Sequence, residues 1–85
     1  MVYEYSECRE KVFTDQGQRL FIKVRDRAFK LLDEAGAFKM EKILCLAGDN
    51  WLQLACIDRM VELNEIVQVN YEVEIAQQHR VFVRF

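Results

Sequence analysis

The sequence of 85 residues contains no proline and only three glycines, Gly17, Gly36 and Gly48. Because proline and glycine are the strongest local interruptions of helices and strands, such sparse glycines mark the boundaries between elements. They fall before, after and between the helical segments described below. No linker, repeat or low-complexity tract is evident, and a chain of this length predicts a single domain.

Residues that commonly carry chemistry are also scarce. The three cysteines, Cys8, Cys45 and Cys56, include no Cys-x-x-Cys pair, which disfavours a disulfide framework or a zinc knuckle and predicts buried, reduced thiols. The single histidine, His79, lies in a polar stretch and is expected to be exposed. No glycine-rich phosphate loop and no metal-ligand spacing occur. The sequence therefore predicts no enzymatic activity, no cofactor and no metal ion.

Long apolar runs are absent as well. No segment approaches the roughly 20 apolar residues that a membrane span needs. The first residues, "MVYEYSECREK", are acidic where a signal peptide requires a positive region followed by an apolar one. The expectation is a soluble, cytoplasmic protein that does not contact membranes.

The clearest element is a helix over 17–35, closed by Gly36 as its C-cap. Its apolar face repeats at helical spacing: Leu20, Val24, Ala28, Leu31 and Ala35. Its opposite face carries four basic residues, called the basic stripe here: Arg19, Lys23, Arg27 and Lys30. The stripe could bind phosphates. However, Asp26 and Glu34 lie on the same face, and this mixture of charges favours an ordinary solvent-exposed face.

Shorter elements surround this helix. Residues 6–14 predict a short helix capped by Ser6, whereas residues 1–5 favour extended structure. Phe38 is expected in a single β-bridge, and 40–47 in a two-turn helix closed by Gly48. Asp49 or Asn50 then caps a helix that runs to about Leu63, with Asn64 as a left-handed C-cap.

Beyond residue 65 the apolar period changes from helical spacing to two. Val67, Val69, Tyr71, Val73 and Ile75 alternate with polar residues, which predicts a strand over 66–75 with one wet face. The polar "AQQH" can turn, and "RVFVRF" predicts a second strand over 80–85. The turn could instead fall near Asn70, so the length of the hairpin stays open.

This order of elements resembles the winged helix-turn-helix superfamily found in small bacterial transcription regulators. The resemblance covers 17–85 and implies an α+β fold, with a three-helix core followed by a C-terminal β-hairpin wing. A three-helix domain with an unrelated hairpin is the alternative. By resemblance, 50–63 is the recognition helix that enters the major groove, and 65–85 is the wing that touches the DNA backbone or minor groove.

The charge of the expected recognition helix conflicts with that role. The arc left exposed by its apolar face holds Trp51, Ala55, Asp58, Arg59 and Glu62. Residues 43–85 contain three basic and six acidic residues, a net of −3, whereas 1–42 has a net of +1. DNA-binding surfaces usually show the opposite bias, because cations supply most of the affinity for phosphates.

A leading functional hypothesis and one alternative follow from these observations. The first is a DNA-associated regulatory or accessory factor, with these candidate contacts: Asn50, Gln53, Arg59, Gln78, Arg80 and the basic stripe. The second is an acidic winged-helix module that binds another protein without binding DNA, through Trp51, Asp58 and Glu62. Tryptophan is enriched among interface hot spots, although partial burial of Trp51 explains it equally well.

Residues 1–16 precede the predicted winged-helix domain and carry five large apolar side chains: Val2, Tyr3, Tyr5, Val12 and Phe13. Such a segment must pack either on its own domain or on a second copy. We expect a homodimer in which this segment contributes to the interface, each copy using the same patch. The alternative is that the segment closes the core of the monomer.

The predicted core draws on each helix of the winged-helix unit and on the apolar faces of 66–85. Its helical members are Phe21, Val24, Ala28, Leu31, Leu32, Ile43, Leu44, Leu54, Ile57, Met60 and Val61.

Overall fold

The computed structural model describes residues 2–46, 48–70 and 75–85. Within them the fold is α+β, with four helices and one antiparallel sheet of three strands. The helices are α1 (Tyr5–Val12), α2 (Asp15–Ala35), α3 (Glu41–Leu44) and α4 (Asn50–Glu62). The strands are β1 (Ala37–Lys39), β2 (Ile66–Gln68) and β3 (Val81–Arg84), and a 3-10 turn covers Gln77–His79. Among these residues no helix combines the length and apolarity that a membrane crossing requires.

Helix α2 has the limits that local capping chemistry predicts, apart from two additional residues at its start. Thr14 is the N-cap, and its hydroxyl accepts a hydrogen bond from the Gly17 backbone N–H at 3.0 Å. Gly36 closes the helix in the left-handed conformation, with φ 79°. Its N–H donates to the Leu32 carbonyl at 2.8 Å. The predicted helix and its C-cap are therefore confirmed.

Gly17 also allows α1 to approach the start of α2. A Cβ atom at this position would lie 1.9 Å from the Lys11 carbonyl oxygen and 2.7 Å from Val12 backbone atoms. No side chain fits at such distances. The absence of a side chain at Gly17 thus lets the α1 backbone pack directly on the first turn of α2.

Helices α3 and α4 form a helix-turn-helix of unequal lengths. Helix α3 has a single turn, shorter than the two predicted, while α4 has the predicted length. Asp49 rather than Asn50 is the N-cap of α4, because its carboxylate accepts hydrogen bonds from the Trp51 and Leu52 N–H groups at 2.9 and 3.3 Å. Asn64 follows α4 with φ 60°, the expected left-handed residue.

The sheet has the order β1-β3-β2, so the last strand in sequence is the central one. Phe38 pairs with Phe82, and Gln68 pairs with Phe82 on its other side. The single bridge predicted at Phe38 is a three-residue strand, and its ring stacks on that of Phe82 with centroids 5.4 Å apart. Helices α2 and α4 pack against the sheet.

Strand β2 ends at Gln68, earlier than the predicted strand over 66–75, of which 71–74 lie outside the described residues. Asn70 accounts for the end of the regular ladder. Its side-chain oxygen accepts from the Val81 N–H at 2.8 Å, and its amide nitrogen donates to the His79 carbonyl at 2.9 Å. The side chain of Asn70 thereby hydrogen-bonds to two backbone groups that would pair with the neighbouring strand if the ladder were longer.

The core lies between α1, α2, α4 and the sheet. Most predicted members are buried, but Phe21, Leu31, Leu44 and Val61 are only half-buried at its margin. Buried residues that were not expected in it include Met40 and Ala55. Cys8 and Cys56 are buried as predicted, whereas Cys45 is exposed, which corrects the expectation of three buried thiols. Cys45 follows α3 as its C-cap, and its thiol donates to the Lys42 carbonyl at 3.0 Å.

Candidate functional site: the covered face of the fourth helix

Helix α4 is the most enclosed element of the described chain. Six consecutive residues, 52–57, are buried, including Gln53 and Ala55, both without exposed surface. A helix with only one packed side cannot bury six residues in succession, because their side chains point all around its axis. The prediction that Ala55 lies on an exposed arc is therefore wrong. The N-terminal segment packs on that arc.

Asp58 lies where the N-terminal segment and the strands meet on α4. The Tyr3 hydroxyl donates to its Oδ2 at 2.7 Å, and Arg80 donates to its Oδ1 at 2.7 Å. The side chains of Asp58 and Arg80 are only 13% and 12% exposed. Burial, followed by the neighbouring Asp58 carboxylate, raises the pKa of Tyr3 well above its usual range. Tyr3 therefore remains a neutral donor that holds Asp58 in place.

Glu62 forms a second cluster one turn further along α4. Its carboxylate accepts hydrogen bonds from Arg9 Nε at 3.0 Å, from Arg59 at 2.6 Å and from the Tyr5 hydroxyl at 2.9 Å. The hydrogen bonds from Arg9 and Arg59 are the main reason that the pKa of Glu62 falls to about 2. Burial and the bond to Glu62 raise the pKa of Tyr5 to about 12. Residues from α1 and α4 thus neutralise this carboxylate.

The other two charged or aromatic candidates of this face are also engaged. Trp51 is half-buried, and its ring meets that of Tyr3 edge to face, with centroids 6.4 Å apart. Arg80 makes further hydrogen bonds to Gln68 and Gln77, both at 3.0 Å, in addition to its ion pair. Both side chains therefore already have partners within the chain.

The structure separates the residues predicted to contact DNA. Gln53 is fully buried and donates to the Leu46 carbonyl at 2.9 Å. Its expected contact with a base is therefore incompatible with this arrangement. Asn50 and Gln78 are exposed, whereas Arg59 and Arg80 are bound to carboxylates of α4. These residues do not form one exposed, cationic surface.

The basic stripe lies on α2. Arg19, Lys23 and Lys30 are exposed, and they form no ion pair within the described residues. Arg27 is half-buried, and its Nε is enclosed without a hydrogen-bond partner in the same part of the chain. Three cations remain directed at solvent, and the fourth is partly enclosed.

Sequence reasoning missed the residues that cover α4. Tyr3, Tyr5 and Arg9 reach side chains more than fifty positions away in sequence, so no local period could identify them. The one available signal was the excess of large apolar and aromatic residues in 1–16. Within the described residues, no cluster of three or more His, Cys, Asp or Glu side chains could hold a metal ion. His79 is exposed at the end of the 3-10 turn.

A scan against protein-family models and searches of curated proteins and solved structures give no match to this chain.

Proposed function

We propose that this protein is a winged-helix-type interaction module that binds another protein and does not read DNA with α4. Support for the winged-helix resemblance comes from the order α2-β1-α3-α4-β2-β3 and from the strand order β1-β3-β2. In such a module the role of α4 is structural, because its side chains form the centre of the core. The outer surfaces of the sheet and of α2 then remain for contact with a partner.

The observation that carries this proposal is the occupation of Asp58 and Glu62 by side chains of the chain itself. A helix that enters the major groove needs an exposed face from which side chains reach base edges. Here that face holds two carboxylates, each bound by α1 or its preceding residues. Exposing them to DNA would break these bonds and would bring negative charge towards phosphates, which is unfavourable.

Binding to duplex DNA of random sequence tests this proposal. Fluorescence anisotropy would be measured with the full chain at low and at moderate salt. We expect no saturable binding at either, because phosphate contacts through α4 are missing. The chain carries a formal net charge of −2, which adds to this expectation.

Two matched variants identify the surface if binding is observed. Asn50→Ala removes the exposed polar residue at the start of α4, where a recognition helix makes its base contacts. Lys23→Glu combined with Lys30→Glu instead removes the net positive charge of the basic stripe. Binding that falls steeply with salt and becomes about tenfold weaker in Asn50→Ala would contradict the proposal.

The homodimer stays a prediction. Of the apolar side chains in the N-terminal segment, Val12 is buried and Tyr3 and Tyr5 are half-buried on their own domain. This arrangement favours the alternative in which the segment closes the core of the monomer. Val2 and Phe13 remain 80% and 47% exposed, so light scattering at high micromolar concentration is the appropriate measurement.

A further inference from the structure

Among the described residues, β1 is an edge strand of the sheet, because its one neighbour there is β3. The Met40 N–H donates to the Arg80 carbonyl at 2.8 Å, and Phe38 lies opposite Phe82. Bonded positions alternate along an antiparallel strand. The backbone groups of Ala37 and Lys39 therefore point away from β3, and no turn, loop or side-chain hydrogen bond within the described residues engages them.

A groove of about 290 Å³ lies along this edge. Its lining is formed by Leu31 and Ala35 of α2, Ala37, Phe38 and Lys39 of β1, Lys42 of α3 and Val81 of β3. The groove thus combines an apolar floor with two lysines, directly beside unpaired backbone donors and acceptors. An extended peptide could use all three features. Its apolar side chains would contact the floor, its acidic side chains would pair with the lysines, and its main chain would hydrogen-bond to the backbone of β1.

The charge of the groove is positive although the chain as a whole is acidic. Lys39 and Lys42 are exposed, and neither forms an ion pair with a carboxylate in the described part of the chain. Other cations near the sheet are already paired, as in the contacts Arg84–Asp33 and Arg25–Glu65. An acidic occupant would supply the charges that these two lysines lack.

We propose that the β1 edge and its groove bind an extended segment of a partner protein in which acidic and apolar residues alternate. The segment adds to the sheet as an antiparallel strand. Residues opposite Ala37 and Lys39 exchange backbone hydrogen bonds with them, and their acidic side chains lie on the same face as Lys39. The intervening residue, opposite Phe38, points to the other face and fills the groove beside Leu31.

A second copy of this chain is a poor occupant of the same edge. Antiparallel pairing of β1 with itself would place Lys39 of each copy near Lys39 of the other, since Ala37 and Lys39 share one face. Lysine on an edge strand disfavours such self-pairing. The same residue favours a partner strand of opposite charge.

The test uses a fluorescent hexapeptide of sequence Ser-Glu-Leu-Glu-Leu-Ser and the full chain, with binding followed by anisotropy. In one derivative both Glu backbone nitrogens are methylated, which removes the donors that face β1. In the matched derivative both Leu nitrogens are methylated, and these face away. We expect the first derivative to bind about thirtyfold more weakly and the second to bind nearly as well as the parent, because the first loses two backbone bonds that contribute about 1 kcal/mol each.

A pair of protein variants tests the charges. Lys39→Glu with Lys42→Glu reverses the groove, and Lys23→Glu with Lys30→Glu makes the same change in net charge on α2. We expect the groove variant to lose about tenfold in affinity and the control to change less than about twofold. All four positions are exposed, and circular dichroism would verify that both variants fold.

The proposal is overturned if the parent peptide does not bind at millimolar concentration, if methylated Glu nitrogens leave affinity unchanged, or if both protein variants behave alike. This inference rests on the proposed function and deepens it. The DNA measurement concerns α4, whereas the peptide measurement concerns β1. Either can fail while the other succeeds, so the two failures are distinguishable.

Discussion

Individual side chains of the N-terminal segment stabilise carboxylates on α4, and Tyr3 is the most enclosed of them. Its hydroxyl bonds to Asp58, which also accepts from Arg80. A partly buried carboxylate that loses one hydrogen-bond donor keeps its negative charge but is no longer fully hydrogen-bonded, which lowers the stability of the folded protein. Tyr5 makes the corresponding bond to Glu62 in an exposed setting, where water can replace it.

This difference predicts unequal effects of the same substitution. Tyr3→Phe should lower the free energy of unfolding by about 1.5 kcal/mol, as expected for a lost hydrogen bond to a charged group. Tyr5→Phe should lower it by less than about 0.5 kcal/mol, as for most surface changes. Urea unfolding of the two variants and the parent measures both. Equal losses would mean that Tyr3 is no better shielded from water than Tyr5.

At the scale of elements, α1 and α4 are joined by the pairing of Arg9 with Glu62. The pKa of Glu62 lies at about 2 in the folded protein, against an ordinary value of 4.5. A carboxylate with a lowered pKa contributes stability above its unfolded pKa and loses that contribution as the pH falls through its folded pKa.

The difference in free energy of unfolding between the parent and the Glu62→Gln variant should therefore become smaller as the pH is lowered. The parent should be the more stable protein at neutral pH, and its advantage should disappear between about pH 4.5 and 2. Denaturant unfolding of both chains across this range measures the difference. The exposed Glu10→Gln variant is a suitable control, since Glu10 forms no ion pair within the described residues. A constant difference at every pH would contradict the assigned pairing.

The helices were predictable from sequence to the extent that their determinants are local. Gly36, Asp49 and Asn64 act within one turn of their own positions, and the limits of α2 and α4 follow from them. The cover of α4 was not predictable in this way. A helical wheel shows that Asp58 and Glu62 share an arc, but only the packing of a distant segment decides that Tyr3 binds Asp58 and that Arg9 binds Glu62.

Strand β2 shows the same limit. Alternation of apolar residues extends to Ile75, yet β2 ends at Gln68. The Val69 N–H still donates to the Val81 carbonyl at 3.0 Å, but the Val81 N–H donates to the Asn70 side chain and not to the backbone. The Asn70 side chain competes with backbone groups for hydrogen bonds to Val81 and His79. Its success depends on where Val81 and His79 lie in the fold, and the apolar pattern of one strand carries no information about that.

At the scale of the whole molecule, the three cysteines report on the docking of the N-terminal segment. Cys8 of α1 is 4% exposed and Cys56 of α4 is 0% exposed, whereas Cys45 lies at the surface. Burial also raises the pKa of Cys56 to about 12, which further suppresses the reactive thiolate.

We expect one fast-reacting thiol per native chain when an aromatic disulfide reagent is added. Cys45→Ser should abolish that fast phase, and Cys8 and Cys56 should react only as the chain opens. Denatured protein, in which all three react together, gives the reference rate. A second fast thiol in the native state, lost in Cys8→Ser, would show that α1 detaches from α4 on the timescale of the reaction.

The central position of β3 has a consequence for biosynthesis. Phe38 and Ile66 both belong to edge strands, and each edge strand finds its hydrogen-bonded neighbour in Val81–Arg84. All four helices precede Val81–Arg84 in sequence, so their residues are synthesised before either edge strand has its neighbour. At about 5–20 residues per second, β1 waits roughly a few seconds for β3 to be translated and to leave the ribosome. During that interval Phe38 has no strand to pair with, so pairing of the sheet cannot precede the synthesis of β3.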